Sequence, residues 1–180
     1  FCDESGFGAC FADVSTGEAL FTQSNEKDPE RCIINELSKF SPKEILYNGK
    51  FLDFKEAADF VKTRLRCVSD PQPDTAYDQK TCLRAVLSQF NAPDLEALEL
   101  KGKTFALYAV GSLVAYLRET QKAGAQRLTV LRSYSEEQYL SIDFTARRNL
   151  ELTETLRSKE KRGSLLWVLD QTKTAMGKRL

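Results

Sequence analysis

Hydrophobic and polar positions alternate over residues 6–23 (GFGACFADVSTGEALFTQ). Phe7, Ala9 and Phe11 point one way, Gly8, Cys10 and Ala12 the other, and Leu20-Phe21 follow after a break. Alternation at period two predicts strands. The break, Ser15-Thr16-Gly17, is short and polar and ends in the residue that takes positive φ at least cost, so the stretch predicts a hairpin. Phe1 to Ser5 ahead of it reads as a frayed lead-in. Beyond Gln23 the apolar spacing lengthens to three and four, so helices should pack on a sheet seeded by this hairpin.

Asp28-Pro29-Glu30 has the chemistry of a helix start, with Asp as cap, Pro at the first helical position and an acid in the first turn. Ile33, Leu37 and Phe40 form its inner stripe, and Ser41-Pro42 stops it. Glu44-Ile45-Leu46-Tyr47 predicts a short strand closed by Asn48-Gly49. Asp53 and Glu56 have capping-box spacing, opening a helix that carries Phe54, Ala57, Ala58, Val61 and Leu65 on one side. A further strand is expected over residues 65–68, a loop at Pro71 and Pro73, and a helix from Thr75 to Phe90 with Leu83, Val86, Leu87 and Phe90 inward. Residues 91–102 read as irregular or as a short helix.

Residues 103–122 hold the longest helical pattern. Phe105, Ala109, Leu113 and Tyr116 share one face, which Ala106, Val110 and Leu117 widen, and Ala106, Ala109 and Ala115 leave room for a sheet to approach. This helix is expected to be the most deeply buried and to end at Ala123-Gly124, where a domain boundary is placed. Residues 126–133 and 138–142 look extended, and Asp143 caps a short helix from Phe144 to Leu150. Ser158 to Gly163 is a charge run, read as a solvated loop. Ser164 caps a last helix in which Leu165, Leu169, Met176 and Leu180 align up to the final residue. That apolar stripe reads as the beginning of a helical domain that has been cut. The opening on Phe rather than Met is likewise read as a processed or excised start.

Composition narrows the chemistry. The chain's 180 residues support one domain, or one plus part of another, and 42% apolar with 29% charged residues is globular. Zero formal net charge supplies no basic field for nucleic acid. No apolar run reaches the roughly 20 residues needed to cross a bilayer, and no export signal is visible, so a cytoplasmic protein without membrane contact is expected. Histidine is absent, which excludes Ser-His and Cys-His nucleophile arrangements. Cys2, Cys10, Cys32, Cys67 and Cys82 are odd in number and widely spaced, unlike a zinc site, and read as reduced core thiols.

Three features resemble chemistry. Gly102-Lys103-Thr104 resembles the end of a phosphate loop, but Ala97 stands where the loop needs its first glycine, and a polar helix start is the better reading. Asp13 lies near the end of the first long strand, where ribonuclease-H-like nucleases carry a metal-binding acid. Asp74, Asp78, Asp94 and Asp143 are available as partners, though no motif places them, and ordering of the Ser15-Thr16-Gly17 turn is the preferred role. Arg147, Arg148, Lys159, Lys161, Arg162, Lys173, Lys178 and Arg179 make the tail basic with few interleaved aromatics, so a solvated face is favoured over DNA contact. No residue is assigned a catalytic, cofactor-binding or metal-binding role.

From Asp143 onward the sequence is distinctive. Residues 145–152 (TARRNLEL), 163–166 (GSLL), Leu169-Asp170 and 172–177 (TKTAMG) closely resemble the bacterial MutS family of DNA mismatch-repair proteins. In that family this motif opens the core, or lever, domain. Residues 13–18 (DVSTGE) resemble the opening of the family's connector domain, and Tyr116-Leu117 through Thr120-Gln121-Lys122 its closing helix. The resemblance implies an α/β, ribonuclease-H-like mixed sheet opened by an antiparallel hairpin with flanking helices, followed by a truncated, mainly helical segment. It divides the chain into a connector over residues 1–124 and the start of a core domain over 125–180. It also implies a non-enzymatic piece, since neither the family's mismatch-reading domain, which carries its Phe-x-Glu wedge, nor its ATPase domain with a complete phosphate loop is expected in this stretch. The longer parent would bind mismatched double-stranded DNA as a homodimeric clamp using ATP and Mg. The piece would link the mismatch-reading domain to the core and offer a surface to a MutL-type partner, with Gly124 and Ser158 to Gly163 as joints. The alternative is an active ribonuclease-H-like nuclease built on Asp13.

Overall fold

The computed structural model describes residues 1–134, 142–174 and 177. The chain divides into two compact units, Phe1–Gln138 and Tyr139–Leu180. In the first, strands β1 (Cys2–Asp3), β2 (Gly6–Asp13), β3 (Glu18–Ser24) and β6 (Val130–Ser133) form a mixed sheet in the order β1-β2-β3-β6. The expected hairpin is β2–β3, antiparallel from Phe7↔Ser24 to Asp13↔Glu18. Gly17 closes its turn at φ +79°, and the Gly17 carbonyl accepts from Thr129 and Val130 N–H, which seats β6 parallel to β3. A side chain at Gly17 would also meet the Arg127 carbonyl at 2.4 Å, so the position is closed to other residues twice over.

One face of the sheet carries α4 (Thr104–Thr120), backed by α3 (Gln79–Phe90). Cys10 and Ala12 of β2, their partners Phe21 and Ala19 of β3, and Leu131 of β6 meet Ala106, Leu107, Val110, Val114 and Leu117 of α4. The helix is therefore rotated from the expected setting: the stripe 106/110/114/117 is innermost, whereas Phe105, Leu113 and Tyr116 are half-buried and Ala115 is exposed. Two glycines set this geometry. A Cβ on Gly8 would lie 2.2 Å from the Phe105 carbonyl carbon, and one on Gly111 2.4 Å from Cys82 Cβ, so α4 touches strand backbone at one point and α3 at another. That approach buries Cys82, which the apolar stripe of α3 does not include.

The other face of β2 packs on α1 (Pro29–Phe40), where the rings of Phe11 and Phe40 stack at 4.0 Å. Helix α1 starts and stops as its sequence predicts: Asp28 accepts from Arg31 N–H at 3.1 Å and Ser41 ends it in the left-handed region. The lead-in is ordered rather than frayed. β1 pairs with β2, the Phe1 ring packs among Tyr77, Phe105 and Tyr108, and the buried Asn48 amide brackets Cys2, accepting from its N–H at 3.0 Å and donating to its carbonyl at 2.8 Å.

Strand β4 (Glu44–Tyr47) is where expected, but its parallel partner β5 is Val68–Pro71, three residues later than predicted and including Pro71. Helix α2 (Lys55–Phe60), extended by a π-turn over Val61–Leu65, lacks the expected capping box. Asp53 belongs to the preceding 3₁₀ turn, and Glu30 of α1 instead caps α2 across the fold, accepting from Glu56 N–H at 2.6 Å and Ala57 N–H at 3.1 Å. Asp78, not a residue near Thr75, caps α3 through Thr81 N–H at 2.9 Å. Helix α4 stops at Thr120, and the short α5 (Lys122–Arg127) leads into β6. Residues 125–134, expected in the second module, thus lie with the first unit. Gly124, expected as a joint, sits in α5, where an added Cβ would lie 2.9 Å from Val14.

In the second unit Asp143 caps α6 (Phe144–Asn149) through Ala146 N–H at 2.7 Å, and Ser164 caps α7 (Leu165–Leu169) through Trp167 N–H at 3.2 Å. Both caps are the predicted ones. The last helix is far shorter than expected, because the Asp170 carboxylate accepts from Thr172 N–H and turns the chain out of it. Residues 138–141 of the expected strand, together with Met176 and Leu180 of the expected stripe, lie outside the described residues.

Candidate functional site

The start of α4 is the first candidate. Gly102 lies at φ +77°, as a helix lead-in often requires. The N–H groups of Phe105 and Ala106 both donate to Gln23 Oε1, at 2.9 and 3.1 Å, so a side chain from β3 occupies the place an anion would take. Lys103 reaches Ser133 Oγ at 2.8 Å and lies over the Phe21 ring. Gly102-Lys103-Thr104 is thus a fastening of α4 onto β3 and β6.

Asp13 occupies the last position of β2, exposed. Its carboxylate accepts from Ser15 N–H at 2.8 Å and Ser15 Oγ at 2.6 Å, the turn-ordering arrangement the sequence favours. The other acids work on their own backbones. Asp78 caps α3, Asp94 accepts from Ala97 N–H, and Asp143 caps α6, while Asp74 opens a 3₁₀ turn. Among the described residues no group of three or more His, Cys, Asp or Glu side chains could hold a metal ion.

None of the five cysteines forms a disulfide, and Cys32 Sγ donates to Glu26 Oε2 at 3.2 Å. Burial pushes the Cys2 and Cys82 thiols up to about 11 and that of Cys10 up to about 12, while Cys67 is raised by the same cause. These are protonated packing groups rather than nucleophiles. Burial likewise raises the Tyr77 phenol.

Among the basic residues of the second unit, Arg147 and Arg148 stand on α6, the first half-buried, Lys159, Lys161, Arg162 and Lys173 are exposed, and Lys178 and Arg179 lie outside the described residues. Lys161 bonds Asp170, and this bond, ahead of those from Thr172, holds the Asp170 carboxyl well below the usual carboxylate range. Arg148 lies over the Phe144 ring at 6.0 Å. All five residues of α7 are substantially exposed, Leu169 at 67%.

A polar cleft of about 460 Å³ is lined by Ser88 and Gln89 of α3, Arg118 of α4, and Ala125 and Gln126 of α5. Gln89 Nε2 donates to the Ala125 and Leu128 carbonyls at 2.7 and 2.9 Å, and Gln89 Oε1 accepts from Arg118 Nε at 3.1 Å. Nothing in the linear sequence marks this cluster, because its members stand on three elements and their spacing matches no motif.

With this geometry in hand, family comparison decides the relationship. Residues 2–132 match the family model described as MutS domain II, and residues 145–180 match MutS domain III. The chain belongs to the MutS family. Relatives named DNA mismatch repair protein MutS are 39% identical over 180 residues in Lachnoclostridium phytofermentans, 38% over 183 in Clostridium botulinum and 34% over 184 in Alkaliphilus metalliredigens. These alignments cover 99–100% of this chain and 18–21% of each relative, so the chain spans about a fifth of their length. The domain II match falls on the mixed α/β unit and the domain III match on the α6–α7 unit, so this MutS-family segment carries parts of two domains, and no catalytic domain is among those matched. Among the described residues no helix is long and apolar enough to cross a membrane.

Proposed function

We propose that this chain is a non-catalytic coupling piece of a MutS-type mismatch-repair protein: a connector module followed by the first part of a core module. The observation that carries the reading is the pair of family matches, domain II then domain III, each falling on one compact unit. In the longer parent this piece joins the mismatch-reading domain to the core. The parent binds mismatched DNA as a homodimeric clamp that uses ATP and Mg. The first unit takes a ribonuclease-H-like arrangement, which the opening antiparallel hairpin, the parallel β6 and the helices on both faces support. A coupler has to move as one body, and the close packing of α4 on β2 and α3 favours that.

The module also presents a docking surface to a MutL-type partner. Calorimetric titration of the 180-residue chain with such a partner protein is expected to give saturable binding, and absence of binding overturns the docking role. The nuclease alternative draws no support from Asp13, whose carboxylate serves its own turn.

A further inference from the structure

We infer that the cleft between α3, α4 and α5 is a receptor for one carboxylate side chain of a protein partner, with Arg118 as the group that grips it. Arg118 is held in advance. Its Nε donates to Gln89 Oε1 at 3.1 Å and its Nη2 lies 3.3 Å from Ser88 Oγ, while Gln89 is itself pinned by the two carbonyls beyond α4. A guanidinium carries five N–H donors in a planar fork. Two contacts hold this one, and Arg118 lines an open cleft of about 460 Å³. Among the described residues no carboxylate pairs with Arg118, whereas Lys101, Arg132 and Lys161 each have one. A pre-oriented arginine lacking an acid is the complement of a carboxylate, which it binds through two parallel hydrogen bonds.

Charge favours a carboxylate of a protein over the phosphates of a nucleic acid. Residues 1–134 carry 17 Lys and Arg against 19 Asp and Glu, a net charge of −2. Holding a phosphate backbone takes a row of cations. One fixed arginine on an acidic body instead selects a single acidic side chain and sets its register. The inference rests on the reading of this module as a docking body and locates one contact on it.

The test follows the Arg118 Nε–Hε resonance of the 15N-labelled 180-residue chain during titration with a hexaglutamate peptide, with inorganic phosphate and a DNA duplex titrated in parallel. Saturable movement by the peptide alone is expected, with peptide affinity weakened about tenfold or more in Arg118→Gln and partly retained in Arg118→Lys, which keeps the charge without the fork. Thermal melts establish that both variants are folded. If Arg118→Gln does not fold, Arg118→Lys and the wild-type titration decide. No movement with the peptide, or equal movement with phosphate or duplex, overturns the inference. Partner titrations with Arg118→Gln separate the two claims: unchanged partner affinity overturns the cleft and leaves docking standing, whereas a wild-type chain that ignores the partner yet binds the peptide supports the cleft and removes the docking role.

Discussion

At Gly8 one hydrogen stands where any other residue would place a carbon within 2.2–2.4 Å of the backbone of Phe105 and Ala106. Those are backbone atoms of α4 and cannot swing aside. Gly8→Ala is therefore expected to lower stability by about 1–3 kcal/mol in urea unfolding, the range for overpacking. A change under about 0.5 kcal/mol would show that α4 does not approach the strand so closely.

The buried thiols give a pH signature at the same scale. An unfolded thiol titrates near 8.5, and folded Cys10 is held up to about 12, with Cys2 and Cys82 up to about 11. The native state therefore retains protons that the unfolded state releases. The stabilisation is fully present below about pH 8.5 and is lost as pH rises toward those values, at about 1.4 kcal/mol per pH unit per thiol. Stability should fall between pH 8 and 10, and Cys10→Ala should flatten part of that fall. Parallel curves for variant and wild type would contradict this assignment.

At the scale of elements, three local caps were legible, while the equally local Asp78 cap of α3 was passed over for a start near Thr75. Asp28, Asp143 and Ser164 each cap the helix that follows them, and the sequence shows it. The cap of α2 was not legible, because its acceptor is Glu30, 26 residues upstream on another helix. Glu30→Ala is accordingly expected to cost about 0.5–2 kcal/mol in chemical denaturation and Asp53→Ala much less. The reverse order would restore the capping box. The rotation of α4 has the same origin: apolar residues ring much of this helix, so periodicity left its inner stripe open until Gly8 and Gly111 fixed where the strand and α3 touch. Strand β5 was misplaced because Pro71 reads as a breaker, yet here it ends a short strand of a two-stranded pair.

At the scale of the molecule, family membership was legible in residues 13–18, 116–122 and the motifs within 145–177, while the candidate cleft was invisible, since tertiary packing alone assembles Gln89, Arg118 and Ala125. The residues that looked reactive are committed to structure. Asp13 orders a turn, and Gln23 closes the helix end that Gly102-Lys103-Thr104 resembles as a phosphate loop. The central claim is that this piece couples and docks without chemistry of its own. Incubating the 180-residue chain with ATP and a mismatched duplex in Mg or Mn tests it most directly. The account predicts neither phosphate release nor strand cleavage above the protein-free rate, with Asp13→Asn indistinguishable from wild type; cleavage that disappears in Asp13→Asn, or ATP turnover by the purified chain, would contradict it.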